Sequence, residues 1–160
     1  TALKREQAKP EDVSEVVGWM SRLNKVASEL AVEFGLRGGT DVTGYSLLGH
    51  GLEMANASGV ALSIGYPQVP FVSGALTYAK KGCFAGGAFD NQSHFGAQVK
   101  FVRSLGEPEQ MLLFDPQTSG GLLLGVPQEK LAAFQTRAAE LGQPVWVIGN
   151  VVNGKGIEIV

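Results

Sequence analysis

One stretch constrains this chain more than any other: Phe114-Asp115-Pro116-Gln117-Thr118-Ser119-Gly120-Gly121-Leu122-Leu123-Leu124. An apolar lead-in stops at Asp-Pro, two hydroxyl residues and a glycine pair follow, and a second apolar run begins. A fold that contains it must bury an element on each side of a loop with little side-chain bulk. Such a loop presents backbone N–H groups and small hydroxyls, and commonly meets a ligand or another backbone closely. A second run of related make-up, Thr40-Asp41-Val42-Thr43-Gly44-Tyr45-Ser46-Leu47-Leu48-Gly49-His50, lies upstream.

Around these runs the pattern mixes helices and short strands. Pro10, Glu11 and Asp12 form a helix start. Apolar residues from Val13 to Phe34 recur at a 3.6-residue period and predict one helix of more than six turns, stopped at Gly35. Leu36 to Gly39 reads as a loop. A second helix is expected from Thr43 or Gly44, with Leu47, Leu48, Leu52 and Ala55 inward. Val60 to Ile64 alternates as a strand, Pro67 and Pro70 bracket a turn, and a short helix covers about Ser73 to Lys81. The Gly-, Asn- and Asp-rich stretch from Phe84 to Gly96 reads as an irregular loop, and Gln98 to Arg103 as a short strand. Pro108 opens a short helix. Gly121 to Val126 predicts a central strand covered on both faces. A helix follows Pro127 and stops at Gly142. Val145 to Ile148 is expected to pair through an Asn153-Gly154 turn with Ile157 to Val160. The order fits an α+β fold, with a mixed β-sheet layered between α-helices.

Composition excludes several function classes. The 160 residues suffice for one domain with a full core. A net charge of −2 with no basic cluster gives no electrostatic footprint for nucleic acid or anionic membranes. No apolar run reaches membrane-spanning length. A lone cysteine, Cys83, forbids an internal disulfide and points to a reducing, cytoplasmic setting, with a secreted domain lacking disulfides as the alternative. Residues 1–9 are polar and read as the remnant of a linker; residues 10–160 then form a single domain of a longer chain.

The candidate chemistry lies in the two runs. Asp41, flanked by Thr40 and Thr43 just before a helix start, can hold a Mg²⁺ that bridges phosphate groups, with Thr43 and Gly44 adding donors at the helix end. Capping that helix is the commoner role for such a residue. Asp115 can initiate a turn through its own backbone, and Thr118, Ser119, Gly120 and Gly121 can form an anion-binding nest. No Lys follows the glycines, so this is not a Walker A loop. His50 and His94 are isolated, and structural roles for them are commoner than general-base roles. No zinc spacing, GxSxG elbow or GxGxxG fingerprint occurs. Cys83 follows two lysines that favour its thiolate, although packing near a helix end is its commoner fate.

Together, Asp41-Val42-Thr43-Gly44-Tyr45-Ser46-Leu47-Leu48-Gly49-His50 with Glu53-Met54, and Asp115-Pro116-Gln117-Thr118-Ser119-Gly120-Gly121-Leu122-Leu123, resemble the C-terminal domain of the selenophosphate synthetase (selenide, water dikinase) family. That family lies within the aminoimidazole ribonucleotide synthetase-like superfamily. The resemblance covers roughly Met20 to Val151, and Gly86-Gly87 with Asn91 resembles a further family element. Tyr45, Ser46, Gly51 and Asp90 depart from residues usual there, namely Phe, Gly, an aliphatic residue and Arg.

The resemblance implies that residues 10–160 are the C-terminal domain of a two-domain enzyme. It implies the reaction of ATP, selenide and water to selenophosphate, AMP and phosphate. It implies that Asp41 joins aspartates of an N-terminal domain in holding Mg²⁺ on ATP. Thr43, Gly44, Asp115, Thr118, Ser119 and Gly120 would then line the nucleotide site. The family's reactive Cys or Sec and its Lys lie in the N-terminal part, and Cys83 does not match that position. The whole enzyme is expected to be a homodimer. Two other readings stand beside this one: an inactive interaction or self-association module, and another ATP-using superfamily member such as a thiamine-phosphate kinase or a hydrogenase-maturation protein.

Overall fold

The computed structural model describes residues 1–160 as seven α-helices, two single-turn 3₁₀ helices and six strands. The long predicted first helix is two: α1 (Pro10–Met20) and α2 (Lys25–Glu33). The break falls at Ser21-Arg22-Leu23-Asn24, where the Ser21 hydroxyl returns to the Val17 carbonyl at 2.7 Å. Ser and Asn compete locally for backbone partners in this way and so favour helix ends. Leu23 continues the apolar period yet stands 78% exposed, so the period overran the buried face. At the far end Gly35 takes φ 60°. It lets its own N–H reach Val32 O and Leu36 N–H reach Ala31 O, a Schellman closure that an L side chain would strain.

The strand β1 (Gly38–Asp41) follows immediately, where a loop was expected. It pairs antiparallel with β4 (Leu122–Gly125), Asp41 opposite Leu122, as a separate two-stranded ribbon. The apolar run at 121–126 is therefore no central strand. It is apolar because helices cover both faces of the ribbon. Leu124 and Val126 pack with Leu30 of α2 and Phe134 of α7 (Gln128–Glu140). Leu123 lies toward Gly51 of α3 (Ser46–Ser58) on the other side.

The second sheet has the order β3-β6-β2-β5, from β2 (Ala61–Ile64), β3 (Val99–Phe101), β5 (Gly149–Val152) and β6 (Gly156–Ile159). β6 runs parallel to both β2 and β3, while β5 runs antiparallel to β2. The expected hairpin across Asn153-Gly154 is thus split. The connection passes the start of β2, with Gly154 close to Ala61, and the two strands flank β2 instead of pairing. The strand begins at Gly149, four residues later than expected. Trp146 leaves toward α1, where its ring meets Trp19 edge-on at 5.8 Å. Only Gly fits at 149, because a Cβ there would overlap Ser63 O.

α3 lies between the ribbon and the mixed sheet. Its inward residues Leu48, Leu52 and Ala55 join Leu62, Ile64, Ile157 and Ile159 in the main core, as the periodicity predicted, with Leu47 packed at the margin. The remaining helices are α4 (Ala75–Lys80), α5 (Gly86–Phe95) and α6 (Glu107–Leu113). α5 replaces the loop expected at 84–96. Its low intrinsic propensity is overridden by burial of Ala88, Asn91 and Phe95 on one face. The α+β class with sheets flanked by helices agrees with the expectation, although the strands divide between two sheets. Residues 1–9 fold back on α4. Arg5 donates to Gly82 O, and the Cys83 thiol lies 3.4 Å from Gln7 Oε1. No helix is long and apolar enough to cross a membrane.

Candidate functional site

The two runs singled out in the sequence are stitched together by backbone. Beyond the β1–β4 ladder, Val42 N–H donates to Gly121 O (3.0 Å), Gly120 N–H to Val42 O (2.9 Å) and Gln117 N–H to Thr43 O (3.1 Å). The chain from Asp41 to Thr43 therefore runs antiparallel to the chain from Leu122 back to Gln117. Gly120 is required by this approach, since a Cβ there would sit 2.7 Å from Val42 O.

A third element locks the pair. The buried Asn91 of α5 donates from Nδ2 to Gly44 O (2.9 Å) and to Phe114 O (3.0 Å). One side chain thus satisfies a carbonyl on each run, the arrangement expected of a buried amide. Sequence reasoning placed Asn91 in a loop and missed this latch. The signal was present as the spacing Ala88, Asn91, Phe95, a helical stripe with one polar member.

Of the expected site residues, Asp41, Gly44, Thr118 and Gly120 are exposed, while Thr43, Asp115 and Ser119 are half-buried. Asp41 ends β1 with no ion pair on its carboxylate. It does not cap α3. That helix starts five residues later, and no side chain caps it. The backbone N–H groups of Thr43, Gly44, Thr118 and Ser119 have no acceptor within the protein. Four free donors on two adjoining loops, one of which follows directly on Asp41, suit an anion whose charge is bridged by a cation. No cluster of three or more acidic, His or Cys side chains forms.

Asp115 behaves differently. Burial pushes its carboxyl up from its ordinary value, and a hydrogen bond from Gln117 Nε2 to Oδ2 at 3.1 Å opposes that rise. It shapes the turn together with Gln117, which also donates to Asp115 O at 2.9 Å.

α3 begins with Ser46 at φ 69°, buried and in the left-handed region. The position thus favours Gly, which accounts for Ser46 as a departure. His50, one turn into the helix, bonds to Thr43 Oγ1 through Nε2 (3.0 Å) and to Glu53 Oε2 through Nδ1 (3.1 Å). It is a bonded histidine, as expected, but its partner is one of the site residues. His94 stacks edge-on against Phe95 and lines a groove of about 360 Å³ with Tyr45, Glu53, Asp90 and Asn91.

A selenide, water dikinase of Bordetella bronchiseptica is 42% identical over 152 residues, 95% of this chain and 43% of that protein. One from Pseudomonas aeruginosa is 38% identical over 99% of this chain and 45% of its own length. The chain spans less than half the length of these curated relatives. Among solved structures, tt0281 from Thermus thermophilus superposes with a TM-score of 0.55 at 22% identity, covering 86% of this chain and 35% of that one. Thiamine-monophosphate kinase from Stenotrophomonas maltophilia K279a does so with a TM-score of 0.51 at 16% identity, covering 81% and 32%. At those identities the likeness shows the fold alone. The family model described as "AIR synthase related protein, C-terminal domain" matches residues 2–160, and the chain belongs to that family.

Proposed function

We propose that this chain is the C-terminal domain of a selenide, water dikinase that converts ATP, selenide and water to selenophosphate, AMP and phosphate. The observation that carries the reading is the exposed, unpaired carboxylate of Asp41 at the end of β1, on the same pair of backbone-joined segments as the free N–H groups of Thr43, Gly44, Thr118 and Ser119. The similarity to selenide, water dikinases over almost the whole chain supports it.

Phosphoryl transfer depends on positioning and charge neutralisation more than on covalent protein chemistry. In this reading Asp41 would hold Mg²⁺, and the ion would neutralise charge on the ATP phosphates. The single exposed carboxylate fits an ion that keeps phosphate and water oxygens as most of its ligands. The loop N–H groups bind and orient phosphate oxygens. Asn91 and the Val42–Gly120 pairing hold the two loops in register, so little reorganisation is needed on binding. The reactive Cys or Sec, the Lys and further carboxylates belong to an N-terminal domain, with residues 1–9 as the junction. The whole enzyme is then a homodimer of the cytoplasm.

The reading is tested in the full-length protein by Asp41→Asn. ATP turnover should fall at least about a hundredfold with the circular dichroism unchanged. Turnover like that of the unaltered enzyme would refute it.

A further inference from the structure

His50 is joined to the candidate site by a hydrogen-bonded chain, Glu53 Oε2–His50 Nδ1 at 3.1 Å and His50 Nε2–Thr43 Oγ1 at 3.0 Å. The partners fix its tautomer. Tyr45 N–H can only donate, and it points to Nε2 at 3.4 Å, so Nε2 must carry a lone pair. The Glu53 carboxylate can only accept, so the ring proton sits on Nδ1. Thr43 must then donate its hydroxyl proton to Nε2.

This has a chemical consequence. A hydroxyl whose proton is committed cannot donate to a phosphate oxygen. It can only accept, from a water or another donor. Thr43 stands two residues from Asp41 and shares its loop with two of the four free N–H groups, its own and that of Gly44. The geometry points to a division of labour: His50 is a positioning residue that turns Thr43 Oγ1 into an acceptor for the hydration shell of the Asp41-bound cation, and phosphate oxygens are left to the backbone N–H groups. The inference rests on the function proposed above. His50 acts only through Thr43, as outer partners orient the groups around a metal.

Two measurements test it. The first needs no nucleotide. Two-bond ¹H–¹⁵N correlation of this chain at neutral pH should show His50 with Nδ1 protonated and Nε2 bare; protonated Nε2 overturns the proposal. The second uses the full-length enzyme and reads the Mg²⁺ concentration for half-maximal ATP turnover. Thr43→Val and His50→Asn should raise it about tenfold. His50→Gln, whose side-chain carbonyl reaches the Nε2 position, should restore it, and Thr43→Ser should leave it unchanged. A role in filling space would instead let His50→Met, close to Gln in volume but with no amide carbonyl there, restore it equally well, and that result overturns the proposal. If Asp41→Asn abolishes turnover while Thr43→Val and His50→Asn leave the Mg²⁺ requirement unchanged, the positioning role fails and the nucleotide reading stands. If Asp41→Asn is fully active, both fail.

Discussion

Replacing Gly120 by Ala isolates the contact that joins the two site loops. The added Cβ would meet Val42 O at 2.7 Å, Val42 Cγ1 at 3.0 Å and Gln117 Cβ at 3.1 Å. The nearest atom is backbone, so no rotamer change relieves the overlap. Gly120 is not among the residues with positive φ, so the penalty is steric and not conformational. Relief requires the 117–121 turn to move off Val42, stretching the bonds Gly120 N–Val42 O (2.9 Å) and Val42 N–Gly121 O (3.0 Å). Each such bond contributes about 1 kcal/mol net, and overpacking costs about 1–3 kcal/mol. The lower entropy of an unfolded Ala returns about 0.4–1 kcal/mol. The sum is a loss of about 2–4.5 kcal/mol. For a chain of this size that lowers Tm by roughly 4–18 °C. Gly18→Ala is the matched control. It lies in exposed α1 with nothing within 4 Å of the new Cβ, and should stabilise by about 0.5–1 kcal/mol. Thermal unfolding of the two variants should move Tm in opposite directions. An unchanged or raised Tm for Gly120→Ala would refute the claim that backbone contact between the runs is obligatory.

Asn91→Ala strips the donors from Gly44 O and Phe114 O, and should cost about 2–4 kcal/mol in denaturant unfolding, against near-neutrality if the latch were incidental. Asp115 is held by burial above its ordinary carboxyl value, so the folded state favours its protonated form. That contribution is present in full below the unfolded value of 3.8 and is lost as pH rises through the folded value. Asp115→Asn should therefore be more stable than the unaltered chain at pH 7, with the gap closing as pH falls toward 4; a gap independent of pH would contradict this. Ser46→Gly exchanges left-handed strain of about 1–2 kcal/mol for the usual glycine entropy of about 0.5–1 kcal/mol. It should leave stability unchanged or raised, where Gly in an ordinary helical position lowers it; chemical unfolding reads the difference.

The local elements were legible wherever a side-chain pattern is its own cause. The inward stripe of α3 and the Gly35 and Gly142 stops follow from periodicity and capping, which act within a few residues. Asp41 and the Thr118–Gly120 turn could be singled out because small and acidic residues between apolar runs leave backbone groups exposed. The pattern misled where burial from a distance decided the outcome. α5 forms from a glycine-rich, polar stretch because its Ala88–Asn91–Phe95 face is covered. β1 forms from Gly-Gly-Thr-Asp because β4 offers it a ladder. The apolar run at 121–126 cannot say whether strands or helices cover it.

The sequence by itself determined the class of fold, the helical core face and the two runs that stand out, since these depend on residue type and near-neighbour spacing. Only the tertiary structure decided that Asn91 latches those runs and that His50 reaches back to Thr43. It also split β5 and β6 around β2. Each of these is a pairing of groups whose partner is set by chain path and not by local propensity, and a buried polar group declares its partner only once both are in place.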